Sequence, residues 1–257
     1  MKRFVKAVFI LTAMVSVFAG CAKEKSDNTF VLGLDTSFPP MGFIDENNEI
    51  AGFDIDVAKE VCSRLNLELV CQPISWDAKE QELATGNIDC IWNGFTMTPE
   101  RLEAMTFSEP YLENAQVVVV LADSPYQTLA DFAGKTCGVQ EGSSAQEAIR
   151  NTPDFADSLS EVVPYKENLT ALMDLEVGGV DAVAMDFIVA NYMIKTSGKN
   201  FRILDEHLSP EEYGIGFKKG NTELRDAVQK TLSEMKADGT LGAISEKWFG
   251  SDITVVK

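Results

Sequence analysis

The sequence predicts an α/β protein built from two similar units, each a mostly parallel sheet flanked by helices. Two observations carry this. Strand-like and helix-like runs alternate in β-α-β-α-β order, and that order then restarts. A weak internal repeat also aligns GNIDCIWNGF (86–95) with GGVDAVAMDF (178–187). In both, a helix stops at glycine, an aspartate begins a short apolar strand, and polar or small residues follow at its C-terminal end.

The elements follow in order. A strand is expected over 29–35, then a turn-rich loop over 36–53. A helix over 54–66 places Ile55, Ala58, Cys62 and Leu65 on one face. A strand over 67–74, a helix over 76–86 ended by Gly86, and a strand over 88–94 complete the first series. The second begins with β-branched residues over 116–122, a short helix over 128–134 and a strand over 135–140. A glycine-serine loop leads to a helix over 145–152. A strand (161–165), a helix (168–179) and a strand (180–186) follow, and 221–250 reads as two helices broken at Asp238-Gly239-Thr240. In open α/β sheets, ligands bind beyond the carboxyl ends of the strands. Asn93-Gly94 and Met185-Asp186 are therefore equivalent positions aimed at one shared cleft.

Composition narrows the function classes. The chain has 257 residues, 45% of them hydrophobic, and a formal charge of -18. Such bulk charge argues against nucleic acid and against an anionic membrane surface. The first residues differ: basic MKRFVK precedes apolar AVFILTAMVSVFAG, the pattern of a secretory signal over 1–20. Removing Lys2, Arg3 and Lys6 with it takes the charge from -18 to about -21. No other run is long and apolar enough to span a bilayer. Cys62, Cys71, Cys90 and Cys137 form no CxxC, and no histidine lies near them, so no metal site is expected. Cys90 and Cys137 read as packed thiols; a Cys62–Cys71 disulfide stays open. The single histidine, His207, falls in a polar stretch read as a solvated loop.

The candidate chemistry starts at NGFTMTPER (93–101). Thr98 suits an N-cap, Pro99 the first helical position, and Glu100 complements the dipole. Arg101 then lies in the first turn, where a lone cation is mildly unfavourable and a bound anion would reverse the sign. Arginine grips a carboxylate through two parallel hydrogen bonds. Thr96 adds donors, and Gly94 admits close approach to the backbone. The competing reading pairs Arg101 on the surface with Glu100, Glu103 or Glu109. In the second series, GVQEGSSAQEA offers a helix mouth with Ser143 or Ser144, either an anion site or an ordinary N-cap. Asp186 is a cation acceptor or a turn residue. One half thus supplies an arginine, the other a helix mouth and a carboxylate. A free α-amino acid needs that set.

The motifs LGLDTSFPPMGFIDENNEIAGFDIDVAKEV, GNIDCIWNGFTMTPER, FSEPYLENAQVVVV, LADFAGKTCGVQEGSS, VDAVAMDFIVANYMI and MKADGTLGAISEKWFG jointly resemble the polar amino-acid solute-binding proteins of ABC importers. The resemblance runs from Thr29 to Phe249 and implies the two-lobed, type II periplasmic-binding fold. It implies two crossing strands, near 112–116 and 212–216, with lobe 1 over 29–115 plus 215–257 and lobe 2 over 116–214. It also implies that Arg101, Thr96 and Ser144 hold the α-carboxylate, and that the Gly94 carbonyl and Asp186 hold the ammonium. Asp35, Phe38 and Trp76 would line the side-chain pocket, completed by Asn93 and Gln140. An acid between two aromatics favours arginine or lysine, because a guanidinium stacks there; an amide partner suits glutamine as well. The resemblance implies a monomer without cofactor that delivers its ligand to permease subunits. VFAGC further resembles a lipoprotein box, with Cys21 lipidated on the extracytoplasmic face of a bacterial membrane and 21–28 as a tether. Cyclohexadienyl dehydratases resemble the chain too and are the enzymatic alternative. They need a general acid, and no histidine or cysteine falls at the matched pocket positions.

Overall fold

The computed structural model describes residues 28–257. The expected signal segment, Cys21 and all of the tether before residue 28 lie outside the described residues.

The first series comprises β1 (Thr29–Leu34), β2 (Ser37–Phe38), β3 (Gly42–Ile44), β4 (Ile50–Ala51), α1 (Phe53–Leu65), β5 (Glu68–Pro73), α2 (Lys79–Thr85), β6 (Cys90–Thr96), α3 (Pro99–Ala104) and β7 (Thr106–Phe107). The second comprises β8 (Leu112–Leu121), β9 (Thr136–Gln140), α4 (Ser144–Arg150), α5 (Pro153–Ala156), β10 (Glu161–Tyr165), α6 (Asn168–Glu176), β11 (Ala182–Asp186) and α7 (Phe187–Ser197). Then come β12 (Phe201–Phe217), α8 (Thr222–Ala237) and α9 (Thr240–Phe249).

The strands join in the order β10-β9-β11-β8-β12-β6-β1-β5, with β7 also on β12. β1, β5 and β6 pair in parallel, as do β9, β10 and β11. The two long strands between them, β8 and β12, are antiparallel to each other and to their outer neighbours. They connect the two lobes, with Leu112 opposite Tyr213 and Asn114 opposite Glu211. The sheet is therefore mixed, because chain entry and return cross it in opposite directions.

Local physics explains most boundaries. α1 closes at Asn66 in the left-handed region and α2 at Gly86. Thr98 caps α3, accepting from the Arg101 N–H, with Pro99 at the first position. α8 and α9 pack back on α1, and the Phe249 ring lies 5.1 Å from Phe53. Apolar cores line both faces: Leu32, Phe53 and Trp92 in one cluster, Val118, Phe132 and Val139 in another.

Three sequence expectations are corrected. The loop over 36–53 folds into a small antiparallel sheet, β2-β3-β4. The expected helix over 128–134 is a 3-10 turn at Leu129–Phe132, too short to gather α-helical bonds. His207 is exposed but belongs to β12, opposite Val117. Residues 187–197, unassigned from sequence, form α7, with Ile188, Val189, Ala190 and Met193 buried. Cys62 and Cys71 are free thiols, which leaves the open disulfide unformed. Among the described residues, no group of three or more His, Cys, Asp or Glu is placed to hold a metal, and no helix is long and apolar enough to cross a membrane.

Candidate functional site

The strand ends build the site. β1 delivers Asp35, β6 delivers Asn93, Gly94 and Thr96, β9 delivers Gln140, and β11 delivers Asp186. Phe38 comes from β2, Trp76 from a 3-10 turn after β5, Arg101 from α3 and Ser144 from α4. These ten expected residues, with Ser143, line one narrow, nearly closed cavity between the lobes.

Arg101 is buried, not a surface ion-pair partner. Its guanidinium lies 4.4 Å over the Phe95 ring and donates to the Thr96 carbonyl at 3.0 Å. A longer bond of 3.4 Å reaches the Gly142 carbonyl across the cleft. Burial pulls its pKa down, and the charges of Glu80, Glu211, Glu147 and Asp186 oppose that. Guanidinium N–H groups beyond these two bonds can meet an anion. The Thr96 and Ser144 hydroxyls stand 3.0 Å apart across the cleft. Ser143 is the actual cap of α4, accepting from the Gln146 N–H at 3.2 Å, and this leaves Ser144 for the cavity.

Gly94 sits at φ +55°, where a Cβ would come within 2.9 Å of Phe38 and 3.0 Å of Tyr213. Only glycine fits there without strain. Its N–H donates to the buried Asp54 carboxylate at 2.7 Å, which anchors the strand end.

At the other end, Asp35 accepts from the Ser37 N–H at 2.8 Å and from the Gln140 amide at 2.7 Å. It is thus both a turn residue and a cross-cleft acceptor. Burial is the main cause of its raised pKa; those two hydrogen bonds lower it, and Glu167 raises it further. Asn93 Oδ1 accepts from the Asp35 N–H, while its Nδ2 is buried without a partner. Trp76 meets the Phe95 ring edge-on at 5.8 Å, and the Lys79 ammonium lies 5.0 Å from its ring centre.

Asp186 is buried, and one oxygen accepts from Asn114 and Gln116 at 2.9 Å each and from the Tyr213 hydroxyl at 2.6 Å. Burial raises its pKa, against these hydrogen bonds.

Residues 30–251 match the model of the bacterial extracellular solute-binding proteins, family 3. The chain belongs to this family. Several family 3 relatives are close. The L-cystine-binding protein TcyJ of Escherichia coli (strain K12) is 32% identical over 234 residues, covering 90% of this chain and 86% of its own. A substrate-binding protein of an ABC uptake transporter from Streptococcus pneumoniae, solved with bound histidine, is 35% identical. It superposes with a TM-score of 0.87 over 90% of this chain and 96% of its own. Tv2483 bound to L-arginine is 34% identical with a TM-score of 0.86, over 89% of this chain and 93% of its own. The fold is the two-lobed, type II periplasmic-binding architecture of these proteins.

Several polar residues around this cavity were not anticipated. Lys79 is 2% exposed, and its ammonium donates to the carbonyls of Trp76 and, across the cleft, Gly142 at 2.9 Å. Glu211 accepts from Thr96, Asn114 and Gln116. Asn114 and Gln116 lie on the first crossing strand and Glu211 on the return. Glu211 stands one residue before the crossing expected at 212–216, so the spacing to Tyr213 and Gly214 was the available signal.

Proposed function

We propose that this protein captures a free polar amino acid between its lobes and delivers it to the permease subunits of an ABC importer. It acts on the extracytoplasmic face of a bacterial membrane as a monomer without cofactor, tethered through lipidated Cys21. The lobes divide as 29–115 plus 215–257 and 116–214. The observation that carries this reading is the placement of a buried arginine and a buried carboxylate, Arg101 and Asp186, on one inter-lobe cavity. Arg101, Thr96 and Ser144 would hold the ligand's carboxylate. Asp186 and the Gly94 carbonyl would take its ammonium, and Asp35, Phe38, Trp76, Asn93 and Gln140 its side chain.

The acid at Asp35 favours arginine or lysine. Glutamine is the second choice, supported by Asn93 Nδ2, a buried donor without a partner. Relatives named for arginine, histidine and cystine set the panel to test. Micromolar affinity needs about −8 kcal/mol, or roughly −0.7 per heavy atom for a ligand of this size. Closure supplies this by shielding the charges and completing their hydrogen bonds. The cross-cleft bonds Asp35–Gln140 and Lys79–Gly142 support a hinge whose closed form the permease reads.

A thermal-shift screen of the twenty amino acids and cystine tests the reading. Arginine or lysine should raise the melting temperature with concentration, glutamine next. A screen in which no amino acid shifts it would sink the proposal. Shifts by acidic or small apolar amino acids alone would overturn the side-chain assignment.

A further inference from the structure

Asp186 has a second acid behind it. β8 lies between β11 and β12, so Asp186 stands opposite Gln116 and Glu211 opposite Asn114. Both amides serve both acids. Asn114 Nδ2 is 2.9 Å from Asp186 Oδ1 and 2.5 Å from Glu211 Oε1. Gln116 Nε2 is 2.9 Å and 2.7 Å from the same two oxygens. Two acceptors held by the same two donors are close neighbours, and two ionised carboxylates at such range repel.

We infer that Asp186 and Glu211 share one proton, and that the ligand's ammonium, arriving at Asp186, expels it. Glu211 is then a positioning residue. It lies outside the cavity that Asp186 lines and acts through Asp186. This rests on the amino-acid reading of the same site. The proton leaves to solvent, and the ammonium replaces its positive charge.

The surroundings support one shared proton. Thr96 donates a hydroxyl to Glu211 at 3.0 Å, and Tyr213 donates one to Asp186 at 2.6 Å. Ser144 bonds Gln116. The charged groups around the pair are Arg101 on α3, which feels both acids, and Glu147 on α4, which lines the outer cleft beside Glu211. Burial and the pair's own repulsion are the leading influences on Glu211. Burial first, then Asp186, push Glu211 up to about 8, and burial raises Asp186 as well. Because the pair and its two amides sit on three adjacent strands, it stays together when the lobes part.

Calorimetric titration with L-arginine and L-glutamine at pH 6, 7 and 8, in buffers of different ionisation enthalpy, measures the proton. If another amino acid binds instead, it replaces them, with histidine measured at about pH 8, where its ring is almost fully neutral. Binding should release a proton, approaching one per ligand at pH 6, and Kd should fall by up to about tenfold per pH unit from 6 to 8. Glu211→Gln keeps the acceptor oxygen and donates to Asp186 without a titrating proton. It should abolish the release and flatten the pH profile, while Glu212→Gln, at the exposed neighbour, keeps both. Binding without proton exchange, or an unchanged slope in Glu211→Gln, would overturn this inference alone. Absence of binding by every amino acid would overturn the parent reading and this inference with it.

Discussion

The side-chain amide of Gln140 donates to the carboxylate of Asp35 across the cleft at 2.7 Å. The two residues are 105 positions apart and come from the ends of β9 and β1. The same amide also donates to the Lys166 carbonyl at 2.9 Å, so its orientation is held from its own lobe. Asp35 is therefore bonded from both lobes, and in the proposed function it also meets the ligand's side chain.

Asp35→Asn keeps the shape and removes the charge. A charged hydrogen bond contributes about 2 kcal/mol, so arginine or lysine should lose on the order of 30-fold in affinity while glutamine changes much less. Competitive titration of the two ligand classes checks the split. Equal losses for both would place the side chain elsewhere.

Arg101→Ala should abolish binding of every amino acid, with a loss of about 3–5 kcal/mol by isothermal titration. Arg101→Lys should not restore it, because one ammonium cannot make the parallel pair of bonds. Melting temperature serves as the folding control.

Lys79 joins two lobes from a nearly sealed position, its ammonium on the Gly142 carbonyl. Lys79→Met keeps the aliphatic cover on Trp76 and removes that bond. The variant should populate the open form more and bind about 1 kcal/mol more weakly. Small-angle scattering of the free protein should show a larger radius of gyration; an unchanged radius and affinity would refute the latch.

Asp54 sets a pH dependence of stability. Its Oδ2 accepts from the Gly94 N–H and the Tyr111 hydroxyl, while Oδ1 is buried without a partner. Burial raises its pKa from 3.8 to about 7. Between these values the native state holds more protons than the unfolded chain, so stability falls as pH rises and the loss is complete above the upper one. Asp54→Asn should narrow the difference in melting temperature between pH 5 and pH 8. It should not abolish it, because the raised Asp186–Glu211 pair acts in the same direction. Thermal denaturation at both pH values measures this; an unchanged difference would mean that Asp54 ionises normally.

Much of the molecule was legible before folding. The alternation of short apolar runs with helical periodicity announced β1, α1, β5, β6, β9 and β11; α1 displays one apolar face, while β1, β6, β9 and β11 are continuous apolar runs because both their faces are buried. The Thr98-Pro99 start of α3 followed from capping alone. The strand-end rule and the family resemblance picked ten residues that share one cavity. The remainder was decided by tertiary structure. Residues 187–197, unassigned in sequence, form a helix with Ile188, Val189, Ala190 and Met193 buried. Arg101 had equal claims as surface cation and buried cation until the Phe95 ring and the Gly142 carbonyl enclosed it. Glu211 looked like one of many surface acids in a chain of net charge -18. Its partner Asp186 is 25 positions earlier, and the amides that bind both are on β8, far back in sequence. Local pattern reports what a residue does to its neighbours along the chain. Burial, shared protons and cross-cleft bonds depend on residues that only the folded sheet brings within hydrogen-bond range.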